Sequence, residues 1–125
     1  MNKVILSIKP KFVKKIFKKE KIFEYRKAIF KSSQIDTVLI YASKPIKKIV
    51  GEFKIGNILC DTPQNIWKQT FHLGGVSQEF YNEYFKNKDI AYAIEITELQ
   101  IYDEFIDPYL INPNFVAPQS FCYVR

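Results

Sequence analysis

The stretch "VILSIKPKFVKKIFKKEKIFEYR", residues 4–26, changes its apolar pattern twice and so sets the start of the fold. Its first five residues are rich in β-formers and end just before Pro10, and proline is favoured at the first position of a helix. Apolar side chains then recur at helical spacing, while lysines cover the remaining faces. From Lys21 the apolar period becomes two. The stretch therefore predicts a strand, an amphipathic helix and a second strand.

The second predicted strand has two different faces. Phe23 and Tyr25 share one face and are expected in the core, whereas Glu24 and Arg26 share the other, about 7 Å apart at a rise of ~3.4 Å per residue. Lys21 has the opposite parity and joins them only if the chain turns there. Two interpretations stay open: a structural ion pair at a barrel mouth, or a pocket where Arg26 binds phosphate and Glu24 accepts from a base amine.

The rest of the chain is dominated by strand patterns. Strands are predicted at residues 37–43, 47–60 and 90–103 and within "SFCYV" (120–124), and helices at 63–70 and 76–86. Gly51, Gly56 and a parity shift near Thr97–Glu98 predict bulges. At 125 residues and 14.8 kDa we expect a single domain over residues 1–125. The predicted fold class is α+β, a small mixed β-barrel of five to six strands with two to three peripheral helices.

Charge is distributed unevenly along the chain, whose net charge is +6. Residues 1–56 hold 15 Lys or Arg and 4 Asp or Glu, whereas residues 57–125 hold 4 and 9. Such a basic half attracts polyanions, although lysines also serve as general solvating groups. The acidic half leaves open a regulatory protein that binds a protein partner.

Metal and membrane roles are not favoured by composition. Two cysteines and one histidine, His72, are too few for a four-ligand Cys/His zinc site. Cys60 and Cys122 stand in apolar surroundings and are expected to be buried, reduced thiols. No apolar run approaches the ~20 residues of a membrane span, and no phosphate-binding glycine loop appears. We therefore expect a cytoplasmic protein without metal or cofactor; its oligomeric state is open.

The order of motifs resembles the ASCH domain family of PUA-like β-barrels, over residues 4–124. The resemblance rests on "LSIKP", "VLIYAS", "IVGEFKIG", "PQSFCYV" and above all on K-x-x-E-x-R at Lys21, Glu24 and Arg26. The family pattern begins with a glycine, and Lys19 occupies that place here. The resemblance implies a PUA-like fold and a cleft that binds RNA or a modified nucleotide between the barrel and the first helix.

The cleft implied by this resemblance has candidate residues of two kinds. Backbone attraction is expected from four lysines near the first helix: Lys9, Lys11, Lys14 and Lys18. Ligand binding is expected from seven residues: Lys21, Glu24, Arg26, Tyr41, Ser43, Gln119 and Ser120.

An enzyme is the alternative, since the resemblance also implies small hydrolases. These act as amidohydrolases on acylated cytidine or as ribonucleases, and Lys21 and Glu24 are then the candidate catalytic residues. The amidohydrolases use a threonine three residues after the lysine, and Glu24 stands in that position. The sequence leaves open whether the protein is an enzyme.

Overall fold

The computed structural model describes residues 2–124, which form one curled, six-stranded half-barrel sheet. The order is β2-β5-β4-β3-β1-β6; β1 and β3 run parallel and the other neighbours are antiparallel. The strands are β1 (Lys3–Ile8), β2 (Phe23–Arg26), β3 (Thr37–Ala42), β4 (Lys48–Asp61), β5 (Ala91–Ile106) and β6 (Phe121–Tyr123). The helices are α1 (Pro10–Phe17), α2 (Pro63–Thr70), α3 (Gln78–Tyr84) and the short α4 (Pro108–Ile111).

The concave face of the sheet is filled by aliphatic side chains and closed by α1. Val4, Leu6 and Ile8 of β1 point into this core, as strand alternation requires, and Val13 and Ile16 of α1 cover it. The lysines of α1 remain on its solvent side, so the amphipathic pattern is satisfied. The predicted α+β half-barrel with peripheral helices is confirmed.

The convex face of the sheet carries two further apolar clusters. One lies under α2 and α3 and contains Tyr25, Ile66, Tyr81 and Phe85. The other lies under the C-terminal segment and contains Ile5, Tyr41 and Ile49. Buried strands of this sheet are therefore apolar on both faces, which explains the nearly continuous apolar run of β3.

Bulges let the two long strands curl. The pairing of β4 with β5 shifts near Gly56 and again opposite Glu98, which takes a positive φ of 45°. The pairing of β3 with β4 shifts beside Gly51, where a Cβ would lie 2.7 Å from the Gln100 carbonyl oxygen. These shifts confirm the bulges predicted at these places. The extra residue of each bulge sharpens the local bend of the strand.

A left-handed residue ends α1 and aims the next strand. Lys19 has a φ of 62°, its N–H donates to the Ile16 carbonyl at 3.0 Å, and the Glu20 N–H donates to the Lys15 carbonyl at 2.9 Å. This pair of bonds is a Schellman motif, which usually places glycine at the left-handed position. Lys19 therefore makes the turn that a glycine makes more easily.

Several local expectations need correction. Strand β5 continues to Ile106, beyond the predicted 103, and α3 is shorter at both ends than the predicted 76–86. Cys60 and Cys122 are both free thiols, but Cys60 is exposed and Cys122 only half-buried. The prediction that both thiols are buried was wrong, because Cys60 lies in the largely exposed second half of β4 and Cys122 lies on the edge strand β6.

Candidate functional site

A cavity of about 240 Å³ opens where β1, β2, α1 and α3 meet. We call it the cation cavity, since three basic side chains and a single carboxylate line it. Its lining residues are Ser7, Ile8, Lys9, Phe12, Lys21, Glu24, Tyr25, Arg26, Val76, Phe80, Tyr84 and Gln119.

Lys21, Glu24 and Arg26 form a buried ionic cluster on one wall of this cavity, and we call it the cation cluster. Their exposed fractions are 2%, 7% and 9%. Lys21 Nζ lies 3.7 Å from Glu24 Oε1, and Arg26 Nε lies 3.3 Å from Glu24 Oε2. The carboxylate thus lies between two cations.

Lys21 reaches this cluster because the chain turns immediately before it. The left-handed Lys19 ends α1, and the Lys21 ammonium then donates to the Gly74 carbonyl oxygen at 2.8 Å. Its Nζ also lies 4.8 Å from the centre of the Tyr25 ring. The turn on which the role of Lys21 depended is therefore present.

The pair Gly74–Gly75 covers the cluster from the helical side. A Cβ on Gly75 would lie 2.6 Å from Lys21 Cβ, and Gly75 has a φ of 68°. A Cβ on Gly74 would meet the Tyr25 hydroxyl. Only glycine fits so close to the buried lysine, so this loop and the cluster depend on each other.

Arg26 also joins the two ends of the curled sheet. Its Nη2 donates to the Ser7 carbonyl oxygen at 3.0 Å, which links the edge strand β2 to β1. Its buried Nε makes no hydrogen bond with any residue of the described part of the chain. Arg26 therefore has a structural role, and its Nε faces the Glu24 carboxylate as an ion pair.

The electrostatics of the site favour an anion. Burial lowers the pKa of Lys21, and the neighbouring Glu24 carboxylate only partly opposes this effect. Ionic groups removed from water need compensating partners, and one carboxylate does not balance the buried Lys21 and Arg26. A phosphate in the cavity would supply the missing charge and favour the protonated lysine.

Aromatic side chains close the opposite wall. The rings of Phe12 on α1 and Phe80 on α3 meet edge to face with centroids 5.2 Å apart, and Tyr84 stacks on Phe80 at 6.1 Å. Lys11 Nζ lies 5.3 Å from the centre of the Phe80 ring. The cavity thus combines cations with apolar ring surface, a combination suited to a phosphate and an attached base.

The predicted site residues divide between the cavity and other places. Gln119 and Lys9 line it, and Lys11 lies beside its aromatic wall. Tyr41 instead lies on the convex face of the sheet, where its hydroxyl is 3.2 Å from that of Tyr109. Ser43 follows β3 and donates its N–H to the Ile8 carbonyl, next to the cavity.

The remaining predicted residues lie outside the lining. Ser120 directly precedes β6, and Lys14 and Lys18 are exposed on the helix. Whether any of these residues contacts a ligand remains a prediction.

Residue-level reasoning missed much of the aromatic wall. Phe80 and Tyr84 have the spacing of an apolar helix face, which gives no sign that one edge of that face borders the cavity. Ser7 was missed because it lies within an apolar strand. The Gly74–Gly75 pair was the available signal, since adjacent glycines between helices often mark a close approach of the backbone.

Within residues 2–124, no three His, Cys, Asp or Glu side chains come together as a metal-binding group. His72 is exposed in a 3-10 turn, Phe71–Leu73, and lies away from the cavity lining. None of the helices in the described range is long and apolar enough to cross a bilayer.

A curled mixed sheet, plugged by a helix and bearing a cavity at its mouth, defines a PUA-like domain. The ASCH domain model matches residues 6–100, so the chain belongs to the ASCH domain family.

Comparison with ASCH proteins from Zymomonas mobilis agrees with this assignment. An "ASCH domain-containing ribonuclease" from Zymomonas mobilis is 26% identical over 99% of this chain and 85% of its own length. The crystal structure of ASCH from Zymomonas mobilis superposes with a TM-score of 0.91 at 25% identity, covering 99% of this chain and 88% of that one. Large ribosomal subunit protein uL22 from Ureaplasma parvum is 28% identical over 73% of this chain, which spans 29% of that protein.

Proposed function

We propose that the protein acts on RNA and that the cation cavity binds a phosphate or base of single-stranded RNA or of a modified nucleotide. The observation that carries this proposal is the excess of cations over carboxylates in a concave, aromatic-walled site. Membership of the ASCH family and the ribonuclease name of the Zymomonas relative support an RNA-related role.

The roles of the cluster follow from its geometry. Arg26, held by the Ser7 carbonyl and the Glu24 carboxylate, lines the cavity and offers the remaining N–H groups of its guanidinium to a ligand oxygen or base edge. Glu24 orients both cations and accepts from an amine on a base. Phe80 and Tyr84 supply the stacking surface. The volume suits one base or phosphate, because larger organic ligands usually occupy ~300–1,000 Å³.

Fluorescence anisotropy with a labelled single-stranded RNA of about eight nucleotides tests this proposal. Affinity is expected to fall about tenfold or more between ~50 and ~200 mM salt, because bound phosphates release counterions. Lys9→Gln is the clean probe, since Lys9 is exposed and its side chain makes no helix-capping bond. It should weaken binding several-fold, whereas the matched Lys31→Gln should not. Absence of binding at low salt, or binding independent of salt, would refute the proposal.

Ribonuclease activity is the second candidate function. It is favoured by the name of the Zymomonas relative and by the burial of Lys21 in the cavity wall, since a lysine whose pKa is lowered by burial is a candidate general base. Cleavage of end-labelled RNA that is lost in Lys21→Met, even at protein concentrations that hold all of the RNA bound, would establish the enzyme. Deacylation of N4-acetylcytidine in a parallel assay would instead establish the amidohydrolase, although Glu24 provides no hydroxyl nucleophile.

A further inference from the structure

A second cavity, of about 530 Å³, lies between α2 and α3 and is larger than the cation cavity. We call it the α2–α3 groove. Its lining residues are Pro63, Gln64, Trp67, Lys68, Gln78, Tyr81, Asn82, Phe85, Lys86, Asn87 and Lys88.

The charge of this groove contrasts with that of the surrounding sequence. Residues 57–125 hold nine Asp or Glu but only three lysines, and all three, Lys68, Lys86 and Lys88, line the groove. No carboxylate occurs among its described lining residues. Positive charge that converges on one concave site raises the local potential and attracts an anion.

The floor of the groove is aromatic and firmly held. The Tyr81 hydroxyl donates to the Pro63 carbonyl oxygen at 2.6 Å, which joins α3 to the start of α2. Trp67 packs against Tyr81 with ring centroids 4.7 Å apart, but is only half-buried. The groove is therefore preformed, and part of the indole surface remains available for stacking.

Helix α3 separates this groove from the cation cavity. Tyr81, Asn82 and Phe85 border the groove, whereas Phe80 and Tyr84 border the cation cavity. An α-helix with its side chains is about 10–12 Å across. A strand of several nucleotides, but not a mononucleotide, would reach both sites.

We propose that the α2–α3 groove is a second subsite for single-stranded RNA. Trp67 stacks on a base, Lys68, Lys86 and Lys88 contact the adjoining phosphates, and the side-chain amides of the groove bind base edges. Stackable ring surface beside cations distinguishes a nucleic-acid site from a purely electrostatic one. The choice of RNA rests on the proposed function, whereas the location of the subsite rests on the groove itself.

Trp67 is the only tryptophan, so intrinsic fluorescence reports on this groove directly. Titration with single-stranded RNA of about eight nucleotides should quench it in parallel with the rise in anisotropy of labelled RNA. Lys86→Gln combined with Lys88→Gln should weaken binding about fivefold or more and reduce the slope of log affinity against log salt by about 1.4. Lys3→Gln combined with Lys31→Gln is the matched control, since neither lysine lines either cavity. A Trp67→Ala variant that folds should also lose about fivefold or more in affinity.

Different outcomes separate the two proposals. If labelled RNA binds while Trp67 fluorescence stays constant and the Lys86/Lys88 variant matches its control, the subsite is refuted and the cation cavity stands. If RNA still quenches Trp67 in Lys21→Met with unchanged affinity, the subsite stands and the cation cavity does not. Equal quenching by a polyglutamate peptide would show a general polyanion or protein-binding surface and refute the nucleic-acid subsite, as would complete absence of RNA binding.

Discussion

The exposed lysines at α1 and the buried Lys21 have opposite environments, although they come from one run of sequence. Lys14, Lys15 and Lys18 are exposed, whereas Lys21 is 2% exposed and lies against Glu24, Gly74 and the Tyr25 ring. The first group gives mobile, screened charge, and the second gives a positioned charge that costs free energy to bury. The density of lysine in the sequence therefore does not show which lysine is buried; the turn at Lys19 places Lys21 in the cluster.

The largest effect should come from removing the carboxylate of the cation cluster. Glu24→Gln leaves Lys21 and Arg26 buried without compensation and should lower the free energy of unfolding by about 3–5 kcal/mol. Urea unfolding measures this loss. Glu20→Gln, four residues earlier and exposed, is the matched control and should stay within about 0.5 kcal/mol. Equal effects of the two changes would mean that Glu24 is as well solvated as Glu20.

Adding a methyl group to the covering loop should have the next largest effect. The methyl group of Gly75→Ala would collide with the Lys21 side chain, and alanine would have to adopt a φ of 68°. We therefore expect a loss of about 2–4 kcal/mol in the free energy of unfolding. Gly56→Ala is the control, because Gly56 has no positive φ and its nearest obstacle is the carboxylate end of the flexible Glu95 side chain, with Thr97 Cγ2 next at 3.0 Å. Thermal melts of both variants give the comparison, and a mild effect of Gly75→Ala would indicate a loop that moves away readily.

The pH dependence of stability should distinguish the buried lysine from the exposed ones. Burial lowers the pKa of Lys21 from 10.5, so between the lowered value and 10.5 the unfolded chain binds more protons than the folded one. The contribution of Lys21 to the free energy of unfolding must therefore rise with pH across that window. The stability of the wild type relative to Lys21→Met should therefore increase as pH rises towards 10.5. Urea unfolding at several pH values measures this trend, and Lys18→Met should not show it. If the difference in free energy of unfolding between the wild type and Lys21→Met did not change with pH, the burial of Lys21 would be contradicted.

A smaller effect is expected at the turn itself. Lys19→Gly removes the strain of a left-handed lysine and should stabilise the protein by about 1 kcal/mol, or about 3–5 °C in melting temperature. The same change at Lys18, whose φ is −85°, should be neutral or destabilising. A lower melting temperature for Lys19→Gly would show that its side chain contributes more than its backbone costs.

The smallest effect should come from the exposed face of α1. Lys14→Gln combined with Lys18→Gln should change the free energy of unfolding by less than about 0.5 kcal/mol. If these lysines contact RNA phosphates, the salt slope of binding should fall by about 1.4. Anisotropy titrations at several salt concentrations measure it, and an unchanged slope would remove these lysines from the RNA interface.

Most secondary structure was readable from local patterns. Helix α2 begins at Pro63 and ends at Thr70 as predicted, because Thr62 caps it and the apolar spacing is regular. Phe23 and Tyr25 lie on one face of β2, and Glu24 and Arg26 lie on the other. This was predictable because the alternation of side chains along a strand is a local property. The bulges were predicted from glycines and from a shift in apolar parity, which are also local features of the sequence.

Local patterns did not predict which face of the sheet, concave or convex, each set of side chains occupies. Alternation places Ile40 and Ala42 opposite Tyr41, but it does not say which set faces the concave core and which the convex side. The cleft implied by the resemblance included Tyr41, and the structure places this residue under the C-terminal segment. Phe80 and Tyr84 were not among the predicted cleft residues, and they border the cavity because Phe12 of α1 packs against Phe80 of α3.

By itself, the sequence determined the elements, the bulges, the amphipathic α1 and the family, because each depends on residues close together in the chain. The tertiary structure alone decided that Lys21 is buried, that Gly74 and Gly75 cover it, and that Arg26 joins β2 to β1. It also brought Lys68, Lys86 and Lys88 to one groove within an acidic half. These contacts join residues up to 53 positions apart, and only long-range packing, not local propensity, selects such pairs.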